Sequence, residues 1–206
     1  MSGRVAKRST TLNGIFYDVP MPEGLTIDHL EEAMKTAIEV FNAINDGLAK
    51  YGMPPLSELI RHNQYSGMVS DLITRALDRF SEFKKTKNTE FPDLKNPKTG
   101  AGIEIKATLS EQPWSTVGHN IASGWFLTFE FDINERGSPS FRRVWIGELT
   151  EEDFVWHGRS SESKRTPTAS VKKESWDKKM KKLFERGKES SQKSRSILDF
   201  VKKKAR

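Results

Sequence analysis

The chain has no cysteine, and its four histidines, His29, His62, His119 and His157, are spread far apart along 206 residues. Disulfides, thiolate nucleophiles and cysteine-ligated zinc are therefore excluded. A metal site has to rest mainly on oxygen ligands, the donor class of magnesium-like ions. No run of about 18 apolar residues is present, and the opening MSGRVAKRSTTLNG lacks the apolar core of a secretory signal. These absences lead to the expectation of a soluble, cytoplasmic protein with no membrane partner. With hydrophobic residues at 35%, the chain is long enough for one ordinary core, so one domain is expected.

Charge is present in quantity and unevenly placed. The net charge is +6, but from Lys164 onward 16 Lys and Arg stand against 5 Asp and Glu, while residues 1–163 hold 18 against 23. A basic block on a mildly acidic body points to a polyanion partner, most often nucleic acid, through neutralisation of phosphates. A solvated lysine tail is the alternative reading. The expected division is a core over residues 1–163 and a basic loop with helical extension of the same domain over residues 164–206.

Periodicity outlines the core. The first 25 residues have no period and read as an irregular lead-in. Asp28 with Glu31 resembles a capping box, and Leu30, Met34, Ile38, Phe41 and Ile44 then recur at helical spacing, predicting a helix from Asp28 to Lys50. YGMPP stops it, and Ser57 is placed to cap a short turn. Val69, Leu72, Ile73, Ala76, Leu77 and Phe80 predict a second helix from Ser66 to about Lys85. After Pro92 the period becomes two: Ile103, Ile105 and Ala107 alternate with Glu104, Lys106 and Thr108. GWFLTFEFDI and FRRVWIGEL are two further strands, joined as a hairpin by NERGSPS. Trp176, Met180, Leu183 and Phe184 predict a basic amphipathic helix, with a second short one near Ile197 to Val201. The class is therefore α/β or α+β.

The stretch PDLKNPKTGAGIEIKAT concentrates chemistry. Glu104 and Lys106 share one face of a strand, and the turn NPKTG is able to return the chain so that Asp93 lies beside Glu104. Two adjacent carboxylates repel, and a divalent cation relieves the repulsion while keeping positions for water and a phosphate oxygen. A lysine at the edge suits the orientation of water or the stabilisation of developing negative charge. Phosphodiester hydrolysis fits this set.

These residues resemble the PD-(D/E)XK nuclease superfamily, and within it the type II restriction endonucleases: Pro92-Asp93, a spacer, then Glu104-Ile105-Lys106, with GIEIKAT as the apolar strand setting. The resemblance spans about 17 residues of the chain. It implies a restriction-endonuclease-like core with a central mixed β-sheet flanked by helices, Mg²⁺ dependence, and cleavage to 5′-phosphate and 3′-hydroxyl ends. It makes Asp93 and Glu104 metal ligands and Lys106 the residue that positions or activates water. A further acid from a preceding helix is common in the family. Asp71 stands where glutamate is commoner, and Glu58 is the other candidate. A restriction-modification enzyme acting on a palindromic site implies a homodimer on double-stranded DNA.

For DNA contacts, Arg142, Arg143, Lys164, Arg165, Thr166, Thr168 and Ser170 offer donors suited to phosphates and base edges. His119 has the same chemistry, and Lys172 and Lys173 are phosphate-binding charges. A structure-selective or repair nuclease such as a junction resolvase, and a DNA-binding protein without catalysis, are the competing readings.

Overall fold

The computed structural model describes residues 7–10, 12–87, 91–115, 122–157 and 168–187. Both long amphipathic stretches are helices. α1 spans Ile27–Ala49, and its N-cap is Thr26, whose hydroxyl accepts the His29 N–H at 3.3 Å. The helix thus starts ahead of Asp28, because Thr26 has the extended backbone and the side-chain acceptor that a cap needs. Leu30, Met34 and Phe41 are fully buried, whereas Ile38 and Ile44 lie at the margin of the stripe. α2 is one turn, Leu56–Leu59, and α3 spans His62–Phe80, with Tyr65, Val69, Ile73 and Leu77 buried. α3 ends short of Lys85. The Ser81 hydroxyl donates to the Leu77 carbonyl at 2.6 Å and accepts the Phe83 N–H at 3.1 Å, competing with further helical turns.

The strands are β1 (Lys7–Thr10), β2 (Gly14–Tyr17), β3 (Lys84–Lys85), β4 (Leu94–Lys95), β5 (Gly102–Thr108), β6 (Gly124–Ile133), β7 (Pro139–Leu149), β8 (Phe154–His157), β9 (Thr168–Val171) and β10 (Lys181–Arg186). Eight of them form one sheet in the order β1-β2-β10-β7-β6-β5-β4-β3, and β8 and β9 make a separate two-stranded ribbon. Among the described strands of this sheet only β5 and β6 run parallel; the other pairs are antiparallel, so the sheet is mixed. The expected β6–β7 hairpin is present. Its turn is pinned to the helices: the Tyr65 hydroxyl donates to the Gly137 carbonyl at 2.8 Å, and the buried Asn45 amide donates to the Arg136 carbonyl at 2.9 Å.

Strand alternation divides the side chains between two layers. Ile103, Ile105, Leu127, Phe129, Phe131, Val144 and Ile146 pack with α1 and α3 on one face. On the other, Phe126 and Leu149 meet Phe154, Ala169 and Val171 of the ribbon. Trp176 and Met180, in or just after α4 (Lys173–Lys179), complete that second layer. Gly147 permits this close approach, since a Cβ there would sit 2.7 Å from the Lys179 carbonyl oxygen. The fold is thus mixed α/β, a mixed sheet with helices against its faces.

Two expectations are corrected. The N-terminal lead-in is the β1–β2 hairpin, in which Phe16 is buried against Phe184 with ring centroids 5.0 Å apart. The basic amphipathic helix stops at Met180, and Leu183 and Phe184 belong to β10, an interior strand between β2 and β7. Tertiary pairing on both edges overrides the helical spacing there, and a register shift between Lys182 and Phe184 lets both Leu183 and Phe184 be buried. The region near Ile197 lies outside the described residues. No described helix is long and apolar enough to cross a membrane.

The second layer is fastened by Asp153. Its carboxylate accepts the Thr150 N–H at 2.7 Å, the Thr150 hydroxyl at 3.0 Å and the Lys179 ammonium at 2.5 Å. Burial alone would raise its pKa, but these donors and Ser175 outweigh burial and bring it down to about 2. Folding lowers this pKa, so the stabilisation is complete above the unfolded value and is lost as pH falls through the folded one. Asp153→Asn is expected to cost about 2 kcal/mol near neutral pH. The cost should shrink between about pH 4 and pH 2 as the wild-type carboxylate protonates. Urea denaturation across that range checks this, and a pH-independent loss would contradict the ionic origin.

Candidate active site

Asn96, fully buried, shapes the turn between β4 and β5. Its side-chain oxygen accepts the N–H of Lys98 at 2.9 Å, its own N–H donates to Ala101 at 2.8 Å, and Gly100 takes φ +77°. The hairpin that results registers Leu94 opposite Ile103 and so brings Asp93 beside Glu104. From the other side, the Thr86 hydroxyl donates to the Pro92 carbonyl at 2.5 Å and its N–H to the Asp93 carbonyl at 3.0 Å. Gly102 leaves room for this segment: a Cβ there would lie 2.4 Å from Cγ of Pro92.

The two acids are linked through the backbone. Asp93 Oδ2 accepts the Ile105 N–H at 2.8 Å, and the Asp93 N–H donates to Glu104 Oε2 at 3.2 Å. Lys106 Nζ lies 2.5 Å from Glu104 Oε1. Glu104 is 5% exposed although the alternation of the strand put it on the polar face. The reason is the second layer, which covers that face through Phe126, the residue registered opposite Glu104. Burial pushes the Glu104 carboxyl above its ordinary value; the Lys106 charge opposes the rise and the Asp93 charge adds to it.

A cleft of about 490 Å³ runs between α3 and β5. Asp93, Lys106 and Thr108 line one side, and Asn63, Ser66, Ser70 and Asp71 the other. Asp71 is exposed and lies 3.6 Å from Lys85 Nζ. Of the two helix acids, therefore, Asp71 stands on the cleft wall with Asp93 and Lys106, while Glu58 is exposed on α2 and is not among the lining residues.

The other expected contact residues are dispersed. Arg142 donates to the carbonyls of Leu109 and Ser110 at 3.1 and 3.2 Å and pairs with Asp132 at 3.2 Å. Arg143 donates to the fully buried Glu130 through Nε and Nη2 at 3.1 and 2.8 Å, and the Trp145 indole donates to the same carboxylate. Both guanidinium groups are thus engaged within the fold. Thr168 and Ser170 lie on β9, with Ser170 Oγ 2.7 Å from His157 Nε2. Lys172 donates to the Glu152 carbonyl at 2.6 Å, and Lys173 pairs with Asp177 and lies over the Trp114 ring. His119, Lys164, Arg165 and Thr166 lie outside the described residues. Sequence reasoning missed Glu130, although hairpin register pairs it with Arg143. It also missed Asn96, whose role comes from the turn it caps.

Among the described residues no cluster of three or more His, Cys, Asp or Glu side chains is gathered to hold a metal. Asp93 and Glu104 nevertheless fit a hard divalent cation. They are adjacent carboxylates: Asp93 lines the cleft with Oδ2 on the Ile105 N–H, and Glu104 lies buried behind it with its oxygens on the Asp93 N–H and the Lys106 ammonium. Mg²⁺ commonly takes one or two carboxylates and completes its shell with water and phosphate. No family model, curated protein or solved structure matches the chain.

Gly102→Ala is expected to destabilise the fold by about 1–3 kcal/mol through overpacking against Pro92. Gly124→Ala, whose Cβ would meet nothing closer than 3.6 Å, is the control. Chemical unfolding of the two variants checks this; equal midpoints would contradict the close packing of Pro92 on β5.

Proposed function

We propose that the protein is a Mg²⁺-dependent endonuclease of double-stranded DNA with a PD-(D/E)XK site and a restriction-endonuclease-like core, acting site-specifically as a type II restriction enzyme. The observation that carries the reading is the pairing of Asp93 with Glu104, in which the Asp93 N–H holds Glu104 and the Ile105 N–H holds Asp93, with Lys106 on the same strand at the edge of an open cleft.

The reaction is hydrolysis. A water oxygen attacks phosphorus in line, the bond from phosphorus to the 3′ oxygen breaks, and a proton reaches that oxygen, leaving a 5′-phosphate and a 3′-hydroxyl. Asp93 and Glu104 would hold the cation, which when bound supplies Lewis-acid polarisation of the phosphate and a more acidic water. Lys106, held against Glu104, orients the attacking water and offsets negative charge gathering on the phosphate oxygens. Asp71, on the facing wall, is placed to steer water across the cleft. Ile105 and Thr86 fix the Asp93 carboxylate and backbone, so little reorganisation is needed on reaction. The excess of Lys and Arg from Lys164 onward supplies the attraction to DNA. Cutting both strands of a palindromic site requires two copies of the active site, hence a homodimer.

Lys106→Ala is expected to keep duplex binding and to lose cleavage by about 100-fold or more. Gel shift without Mg²⁺ and cleavage with it, on the same DNA, check both halves. Unchanged cleavage would overturn the site. Cutting of branched DNA alone would favour a structure-selective nuclease, and salt-sensitive binding with no cutting by the wild type would favour a DNA-binding protein without catalysis.

A further inference from the structure

The β8–β9 ribbon stands apart from the main sheet yet is rooted at the candidate active site. Phe154, its first residue, packs on Phe126 with ring centroids 5.3 Å apart, and Phe126 packs on Phe91 at 5.8 Å. Phe91 immediately precedes Pro92-Asp93, and Phe126 is registered opposite Glu104. At the same end of the ribbon, just past Val171, Lys173 lies 4.8 Å over the ring of Trp114, whose neighbour Ser115 lines the cleft. One stack of three rings and one cation–π contact thus fix the ribbon relative to the acids.

The register of the ribbon sorts its side chains. Phe154 faces Val171 and Trp156 faces Ala169; Phe154, Ala169 and Val171 are buried against the sheet, while Trp156, farther out along the ribbon, is 49% exposed. Val155 opposite Ser170 and His157 opposite Thr168 therefore make the outward face. Val155 is 44% exposed and His157 is exposed. The Ser170 hydroxyl and His157 Nε2, 2.7 Å apart, set the imidazole across the two strands. A methyl-bearing side chain, two hydroxyls and an imidazole on one small face can meet a thymine methyl and base-edge donors or acceptors.

Resting on the nuclease reading above, we infer that this ribbon is the sequence-reading element: it enters the major groove of duplex DNA with Val155, His157, Thr168 and Ser170 toward the base edges. The major groove is about 12 Å wide and admits a two-stranded β-ribbon. Charge favours that occupant. Residues 154–173, the stretch of sequence from the first ribbon strand to just past the second, hold five Lys and Arg against one Glu, a balance that attracts phosphates. The ring stack gives groove entry a consequence, because the ribbon cannot seat without setting the position of the Pro92-Asp93 segment relative to the backbone.

The test uses full-length Lys106→Ala protein, expected to bind without cutting, and selects ligands from a randomised duplex library. The same selection is run with His157→Ala and Ser170→Ala added, and separately with Val155→Glu added. These positions are outward-facing, and urea midpoints confirm that each variant is folded. The parent is expected to enrich a defined sequence. The double addition should lose about 10-fold or more in affinity for it while binding unrelated duplex as before, and Val155→Glu should weaken binding to both by placing a carboxylate in the groove. Enrichment of the same sequence with unchanged affinity by the ribbon variants would overturn the ribbon as reader while leaving the nuclease reading intact. A parent that binds no duplex DNA, or prefers RNA, would overturn both.

Discussion

Removing a carboxylate from water is expensive unless its oxygens find donors, and at Glu104 that requirement shapes the candidate site. One oxygen takes the Asp93 N–H, which reaches it only while the β4–β5 hairpin keeps its register, and the other the Lys106 ammonium from the same strand. Asp93 is bound in return by the Ile105 N–H. The turn built by Asn96, the bracing of Pro92 and Asp93 by Thr86 and the missing side chain at Gly102 all serve that one adjacency. The result is a carboxylate pair held at close range, whose mutual repulsion is offset in part by the Lys106 ammonium.

The sheet supplies the frame. β5 and β6 run parallel, so the chain must leave the end of β5 and cross before returning. Arg142, reaching from β7, holds the carbonyls of Leu109 and Ser110 at that exit, and Glu130 balances Arg143 and takes the Trp145 indole. Buried charge here is compensated rather than isolated, which is the condition under which such a network holds geometry. The expense is that two arginines with good chemistry for guanine are occupied inside the fold. On the proposed function, base reading would then fall to side chains elsewhere, such as those of the ribbon.

Much of this was legible in the sequence, for local reasons. The α1 and α3 stripes, the period-two run at Ile103 to Ala107 and the β6–β7 hairpin express patterns within a single element, and one chain is enough to read them. The pairing of Asp93 with Glu104 was legible because a short turn joins them. Features that depend on distant partners were not. β1 and β2 have too little period to stand out and exist because β10 covers their edge. Trp176, Met180, Leu183 and Phe184 keep a helical spacing, yet Phe184 pairs with both Phe16 and Val144. Glu104 looked solvated, since nothing local announces that Phe126 and Phe154 will close over its face. Arg142 and Arg143 looked free for the same reason.

The account stands or falls on DNA hydrolysis. The most direct measurement is digestion of several unmethylated phage and plasmid DNAs by the wild-type protein, with Mg²⁺ and with the metal removed by chelator, followed by sequencing of the fragment ends. Discrete Mg²⁺-dependent fragments with a shared end sequence, 5′-phosphates and 3′-hydroxyls are the predicted result. DNA left intact under both conditions, linear and branched alike, would contradict the reading of Asp93, Glu104 and Lys106 as a hydrolytic site.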